Sequence, residues 1–415
     1  MSLETRLAWR NVWRNPRRTA LSVAATVFAV VLVVLSVGMA AGVHEKMIED
    51  AVRLHSGHVA ISGEGYRDNM TLEEFVPWTD EVVRAIDSTP GVRAWAPRIT
   101  SFALLSQRDA SKGVMVLGVD PAREAAVTTL AERVRTGQFL ATERVAGRRE
   151  IVLGQRLADD LGASLGEEIL MYGVAYSLET AYELFTVVGT VKLPEPKLER
   201  SLAIIHFEDA RDFYVYGERV TEIALLAADA DHAFPLAEQL RTTLAAASSA
   251  RLEVLNYEQL MPELVQLILL DDAGMYITLL ILVVVVGFGI LNTILMAILE
   301  RTRELGVVLA LGLRPSALFR MVYLESMILA GVGLVVGLAL AVPALAYLHG
   351  MEFPLSGDIA ASTELIGMEP VVTFKLKPLN PLGSTLTIIG VAALAALYPA
   401  IKASRGRPVD ALRSL

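Results

Sequence analysis

The sequence contains no cysteine, so disulfide bonds cannot contribute to its stability and the redox compartment cannot be inferred from thiols. Charged residues are also scarce, at 20% of the chain, compared with about 25% in soluble globular proteins. The net charge of −9 argues against the basic surface that nucleic-acid binding requires, and we expect no nucleic-acid partner. The apolar fraction is correspondingly high, at 53% of the 415 positions.

Motifs that identify an enzyme are missing as well. No phosphate-binding loop of the form G-x-x-x-x-G-K-[ST] occurs, and no acid–base or nucleophile–base pattern stands out. His55 and His58 form an H-x-x-H pair, but a zinc site needs at least three protein ligands, so we interpret both as histidines at a strand edge. The chain is therefore predicted to be non-catalytic and to bind no cofactor or metal.

The apolar residues are concentrated in four segments, each long enough to cross a bilayer, which takes roughly 20 residues of α-helix. The predicted spans are residues 19–43, 275–299, 318–348 and 381–403. Residues 44–272, between the first two spans, have an ordinary globular composition and are numerous enough to bury their own core. The sequence thus predicts an α-helical membrane protein with four transmembrane helices and a large domain inserted between spans 1 and 2.

Lysine and arginine residues beside the spans predict the orientation, because they collect on the cytoplasmic side. Arginines cluster in residues 1–18, 300–317 and 404–415. Both termini are therefore predicted to be cytoplasmic, with residues 44–272 and the loop 349–380 outside. A cleaved signal peptide is the rival interpretation of the N-terminus, but its apolar core spans about 7–15 residues, whereas residues 19–43 run uncharged throughout.

Residues 1–18 are predicted to form a cytoplasmic amphipathic helix that leads into the first span. Trp9 and Trp13 lie broadly on one helical face with the other apolar residues, whereas arginines occupy positions 6, 10, 14 and 17. A basic helix with tryptophans suits the inner membrane interface. The pattern leaves open whether this helix is a simple anchor or a moving element.

Residues 300–317, between spans 2 and 3, are predicted to be a coupling helix that a partner grips. Gly312 suits the C-terminus of a helix, and Pro315 prevents its continuation. We expect the charged start to face the cytoplasm and the apolar half to pack under the spans, rather than an ordinary positively charged loop. The candidate coupling residues are Glu300, Arg301, Arg303, Glu304, Leu305 and Gly306.

Polar and small residues inside the spans are further candidates. Ionisable groups within a span are costly and often functional, which singles out Glu325; it can pair with Arg320 or with the hinge, either as an anchor or to transmit motion. Asn292 is interpreted as a hydrogen-bonding group between helices. Gly333 and Gly337 form a G-x-x-x-G pair, which predicts close helix packing.

Strand-like and helix-like segments alternate through residues 44–272, which predicts an α+β domain. Residues 92–202 are richer in β-like runs than their flanks, so we interpret them as an insert within a two-module domain. The last predicted helix of this domain, Tyr257–Leu270, runs almost directly into span 2. Motion at the hinge is therefore expected to reach the outer domain without a flexible linker.

Three motifs carry a resemblance to known proteins. Residues 292–312 read N-T-x-x-M-x-x-x-E-R-T-R-E-x-G-x-x-x-A-L-G, and residues 408–412 read P-V-D-A-L. Both resemble the FtsX-like permease domain of ABC transporters, over about residues 275–410. Residues 118–121, G-V-D-P, resemble part of the MacB-type periplasmic core. The long loop 349–380 makes the layout most similar to the LolC/LolE lipoprotein-releasing group.

The resemblance implies a permease subunit in the bacterial inner membrane, paired with a second permease subunit that is identical or different. It also implies two copies of a separate ATP-binding subunit, which would bind ATP and magnesium and convert hydrolysis into mechanical work on the periplasmic side. A periplasmic carrier or adaptor is a further implied partner, and a carrier-binding hairpin would correspond to about Tyr172–Leu184, which is short.

Among the functions of such permeases, this layout favours lipoprotein release from the inner membrane. The alternatives are MacB-like efflux of peptides or antibiotics through an adaptor and FtsX-like regulation of a cell-wall hydrolase.

Overall fold

The computed structural model describes residues 3–14, 16–54, 56–365, 370–376 and 379–405. They belong to two compact units. We call Met1–His44, Ile268–Pro354 and Val371–Leu415 the membrane unit, and Glu45–Leu267 with Leu355–Pro370 the outer unit. His55 and the motif at 408–412, both considered above, lie outside the described residues.

The described residues form helices and strands throughout the chain. The helices are α1 Leu3–Arg14, α2 Pro16–Leu54, α3 Tyr66–Asn69, α4 Asp80–Asp87, α5 Pro121–Val127, α6 Gln155–Leu161, α7 Pro196–Glu199, α8 Phe207–Phe213, α9 Ala230–Ala247, α10 Tyr257–Leu260, α11 Pro262–Glu300, α12 Thr302–Ala310, α13 Pro315–Leu348, α14 Asp358–Leu365 and α15 Leu379–Ser404. The strands are β1 Val59–Gly63, β2 Val76–Pro77, β3 Ala94–Gln107, β4 Ala110–Val119, β5 Val134–Gly137, β6 Glu150–Gly154, β7 Glu168–Val174, β8 Thr180–Val191, β9 Leu202–His206, β10 Arg219–Val220, β11 Glu222–Leu226, β12 Leu252–Asn256, β13 Glu352–Pro354 and β14 Val371–Thr373.

Four helices of the described chain are long and apolar enough to cross a membrane, which confirms the predicted architecture. They are the segments Thr19–Leu54, Pro262–Met296, Pro315–Leu348 and Thr385–Ser404. Uninterrupted helix is the expected form, because lipid offers no hydrogen bonds to an open backbone.

The G-x-x-x-G pair of α13 lies against α2, as predicted. A Cβ atom on Gly333 would come within 2.5 Å of the Thr26 Cβ atom, and one on Gly337 within 2.6 Å of the Val30 Cβ atom. These glycines therefore let the two backbones approach each other closely.

A second seam of small residues joins α15 to α13. Its alanines on α15 are buried against larger apolar side chains of α11 and α13. The cluster comprises Ala392, Ala396, Ala400, Ala403, Ile294, Ile298, Leu318, Met321, Val322 and Ala330. Together the two seams fix α2, α13 and α15 side by side.

The outer unit is built on a β-sheet that closes on itself. Strands β12, β1, β11 and β3 pair antiparallel at one side. From β3 the ladders continue through β4, β9, β6, β8 and β7 and return to β3, closing a ring of six strands. The inward-facing side chains alternate along the strands and are buried, as for Leu105, Ile151 and Phe185.

One helix boundary in the outer unit differs from expectation. The predicted helix Tyr257–Leu270 is interrupted at Met261, where α10 ends and α11 begins at Pro262. Proline lacks the backbone N–H that would continue α10 and disfavours helical geometry in the residue before it, yet it is well suited to the first turn of a helix. From Pro262 onwards, α11 is continuous to Glu300.

His58 is buried in the outer unit, with its ring edge-on to Tyr257 and the ring centroids 6.4 Å apart. Burial lowers the pKa of His58 from 6.5 to about 4; Asp229 opposes this shift and Arg93 adds to it. As the pH falls, His58 is protonated near pH 6.5 in the unfolded chain but only near pH 4 in the folded chain. Protonation therefore favours the unfolded chain between these values, and the full stability is present above pH 6.5. It is lost as the pH falls towards 4, by on the order of 3 kcal/mol.

We predict that the free energy of unfolding decreases between pH 6.5 and pH 4 more steeply in the wild type than in the H58F variant, which cannot be protonated there. Urea unfolding followed by tryptophan fluorescence at several pH values measures both slopes. H349Q is the control, because His349 is exposed and belongs to the membrane unit. Equal slopes in wild type and H58F would contradict the assignment.

Candidate functional site

The hinge between α11 and α13 consists of a nine-residue helix with a break on each side. Arg301 leaves helical geometry, with φ −108° and ψ 10°, and α12 follows directly. After α12, Gly312 has φ 97°, a left-handed conformation that glycine adopts without steric cost. Pro315 then begins α13 at a position where its missing N–H is not needed. Gly312 and Pro315, which the sequence singled out, thus mark the C-terminal side, whereas the break at Arg301 was not predicted and α12 is shorter than the expected 300–317.

A network of four charged side chains connects the hinge to two other helices of the membrane unit. Arg301 donates to both carboxylate oxygens of Glu325 on α13, at 2.9 and 3.3 Å, and to Glu304 at 3.3 Å. Arg14 of α1 pairs with the same Glu304. The Arg301 and Glu325 side chains are only 15% and 13% exposed. The network therefore joins α1, α12 and α13.

Glu304 accepts hydrogen bonds from both arginines. The bond from Arg14, together with the smaller contribution of Arg301, lowers the pKa of the Glu304 carboxyl. Glu304 thus remains an anion that binds both cations at physiological pH.

The predicted site residues occupy different surroundings. Glu325 pairs with the hinge, one of the two partners left open by the sequence. Arg303 is exposed and makes no ion pair within the described part of the chain. Asn292 lies on an exposed side of α11, outside the charged network. The side chains of Glu300 and Leu305 and the surroundings of Gly306 lie outside what the structure describes.

The apolar half of α12 is only partly packed against the spans, in contrast to the expectation that all of it is. Leu309, with Leu313 just beyond the helix, packs against the cluster formed by α11, α13 and α15. Val307 is exposed, and Leu311 is 82% exposed. The reason is geometric: a single helix presents only one face to its neighbours. The hinge therefore carries exposed apolar side chains at Val307 and Leu311.

A second exposed apolar surface lies on the outside of the six-stranded ring; the sequence had pointed only to the stretch Tyr172–Leu184 within it, as the short counterpart of a carrier-binding hairpin. This surface covers the neighbouring strands β3, β7 and β8, where Leu104 is opposite Tyr172 and Tyr172 is opposite Tyr182. The exposed members of this sheet face are Phe102, Leu104, Tyr172, Val174, Tyr182 and Leu184. The unbroken apolar run in β7, I-L-M-Y, indicated that both faces of that strand are apolar. Contiguous exposed apolar patches are a common feature of interaction sites.

Two protein-family models match the chain. The MacB-like periplasmic core domain matches residues 19–243, and the FtsX-like permease C-terminal domain matches residues 276–408. The lipoprotein-releasing system transmembrane protein LolC of Neisseria meningitidis is 24% identical over 364 residues, which cover 84% of this chain and 83% of that protein. The corresponding LolE of Haemophilus influenzae is 23% identical over 345 residues, 80% of each chain. The solved periplasmic region of MacB from Actinobacillus actinomycetemcomitans is 13% identical, covers 52% of this chain and 97% of that one, and has a TM-score of 0.37.

We predict that Arg301 and Glu325 stabilise the membrane unit as a pair. R301Q leaves the shielded Glu325 carboxylate without its hinge partner, at a cost of roughly 3 kcal/mol, whereas E325Q leaves Arg301 paired with Glu304 alone and should cost less. The R301Q/E325Q variant removes both charges and should lose clearly less than the sum of the two single variants. Thermal unfolding of the protein in detergent measures the coupling, with R303Q as the control because Arg303 is exposed. Strictly additive losses would show that the two side chains are not coupled.

Proposed function

The chain belongs to the family in which a MacB-like periplasmic core domain is joined to an FtsX-like permease domain, and from this premise we propose that it is the permease subunit of an ABC transporter whose ATP-binding subunit docks on α12. The observation that carries this proposal is the exposed apolar surface of the hinge, Val307 and Leu311, beside the exposed Arg303. Exposed apolar residues on a firmly held support are what a protein interface requires. ATP and magnesium would be bound by that partner, in two copies for a pair of permeases.

The proposed work of this permease is the release of lipoproteins from the inner membrane towards the periplasm. Two relatives that align with most of the chain are transmembrane proteins of lipoprotein-releasing systems. The apolar sheet face on β3, β7 and β8 is a suitable surface for an amphiphilic cargo or for a periplasmic carrier that receives it. In this arrangement both termini and α12 are cytoplasmic, and the outer unit is periplasmic.

Two long helices support the transmission of motion. Neither α2, over Pro16–Leu54, nor α11, over Pro262–Glu300, contains a break between its apolar span and its outer end. We propose that a displacement of α12 by the ATP-binding subunit is carried along α11, and that a second permease subunit covers the exposed apolar side of α11.

We predict that the L311D variant loses its ATP-binding subunit. A charge at the centre of an apolar contact typically costs 2 kcal/mol or more, so the amount of partner that co-purifies from native membranes should decrease by about tenfold or more. L178D is the matched control, because Leu178 is 80% exposed and lies in the outer unit. Unchanged co-purification with L311D would exclude α12 as the docking site.

We also predict that Y182D/L184D abolishes lipoprotein release while the ATP-binding subunit remains bound. Both substitutions place charges on the exposed sheet face without touching the buried face of β8. Release of a labelled lipoprotein from proteoliposomes containing the whole complex is the measurement. L165D serves as control, since Leu165 is an exposed leucine elsewhere in the outer unit. Normal release by Y182D/L184D would rule out a role for this surface.

A further inference from the structure

The surface of α1 is divided into three parallel stripes. Ala8 and Val12 are buried, and α1 packs against α13. Trp9 and Trp13 are 50% and 52% exposed, with their rings edge to face and the centroids 5.9 Å apart. With about 100° between successive residues, the tryptophan stripe lies about 100° around the helix from the buried stripe.

Arginines form the third stripe. Arg6 and Arg10 are exposed and lie roughly 60° beyond the tryptophans on the side away from the buried stripe. Neither makes an ion pair with another described residue, whereas Arg14, one turn further, is held by Glu304. From the helix bundle outwards, the order is thus buried seam, tryptophans and exposed guanidinium groups.

The orientation of α1 is fixed by three contacts within the membrane unit. Its buried stripe packs against α13, Arg14 pairs with Glu304 of α12, and the Thr19 hydroxyl donates to the Val12 carbonyl oxygen. The uncharged run of the first span begins at this same Thr19. The exposed stripes are therefore held beside the end of the apolar span, where a bilayer changes from hydrocarbon to headgroups.

We propose that α1 is a binding site for anionic phospholipid. The tryptophan rings occupy the boundary between acyl chains and headgroups, which is where tryptophan accumulates in membrane proteins. Arg6 and Arg10 then reach the phosphate layer, and a headgroup with a net negative charge complements them better than a zwitterionic one. Each arginine near an anionic surface favours association by a factor of about five. This inference is independent of the cargo and of the ATP-binding partner.

Brominated lipids test the proposal, because bromine quenches tryptophan fluorescence on contact. The purified full-length chain is placed in phosphatidylcholine nanodiscs that contain an equal mole fraction of either dibrominated phosphatidylglycerol or dibrominated phosphatidylcholine. We expect the phosphatidylglycerol to quench the fluorescence roughly threefold more strongly. The difference should disappear in W9F/W13F, which leaves Trp78 and Trp95 of the outer unit as the reporters.

Two manipulations separate charge recognition from mere contact with lipid. In R6Q/R10Q, quenching by the two brominated lipids should agree to within a factor of about 1.5. The control variant R108Q/R251Q removes the same charge from exposed arginines of the outer unit and should keep the difference. High salt should have the same effect on the unmodified protein, because at 1 M salt charges are screened beyond about 3 Å. Equal quenching by both lipids in the wild type, or an undiminished difference in R6Q/R10Q or at high salt, overturns the proposal.

Discussion

Arg301 lies where α11 ends and α12 begins, and its guanidinium group is shared between the carboxylates of Glu325 and Glu304. The planar fork of arginine donors allows one side chain to hold two anions from different directions. Because Glu304 also binds Arg14, a single residue at a break in the backbone connects three helices. The hinge is consequently a short helix braced by ion pairs to two neighbouring helices.

The parts of the fold that the sequence predicted are those with local causes. Gly312 follows one helix and Pro315 begins the next, in each case because of the conformational preference of the residue itself. The spacing of Gly333 and Gly337 indicates close helix packing. Pro262 carried an equally local signal, which outweighs the helical pattern around it.

The features that the sequence did not predict depend on partners distant in the chain. Glu325 had two candidate partners, and the packing of α13 beside the hinge brings Arg301, 24 positions away, within hydrogen-bond distance of its carboxylate. The closed ring of six strands requires β3 to pair with β7, more than sixty positions later, and no local pattern specifies such a pairing. The apolar sheet face on β3, β7 and β8 exists only because these strands are neighbours. The coupling role of residues 300–306 remains a prediction.

The charged network also has a weak and a strong link. Arg14 and Glu304 are 58% and 46% exposed, and ion pairs so accessible to water contribute about 0–1 kcal/mol. The Arg301–Glu325 pair is shielded, and breaking it costs several times more. A load applied to α12 therefore separates α12 from α1 before it separates α12 from α13. Because the buried stripe of α1 packs against α13, α1 stays on α13 when the Arg14–Glu304 pair opens, and the Arg301–Glu325 pair still holds α12 to that same helix.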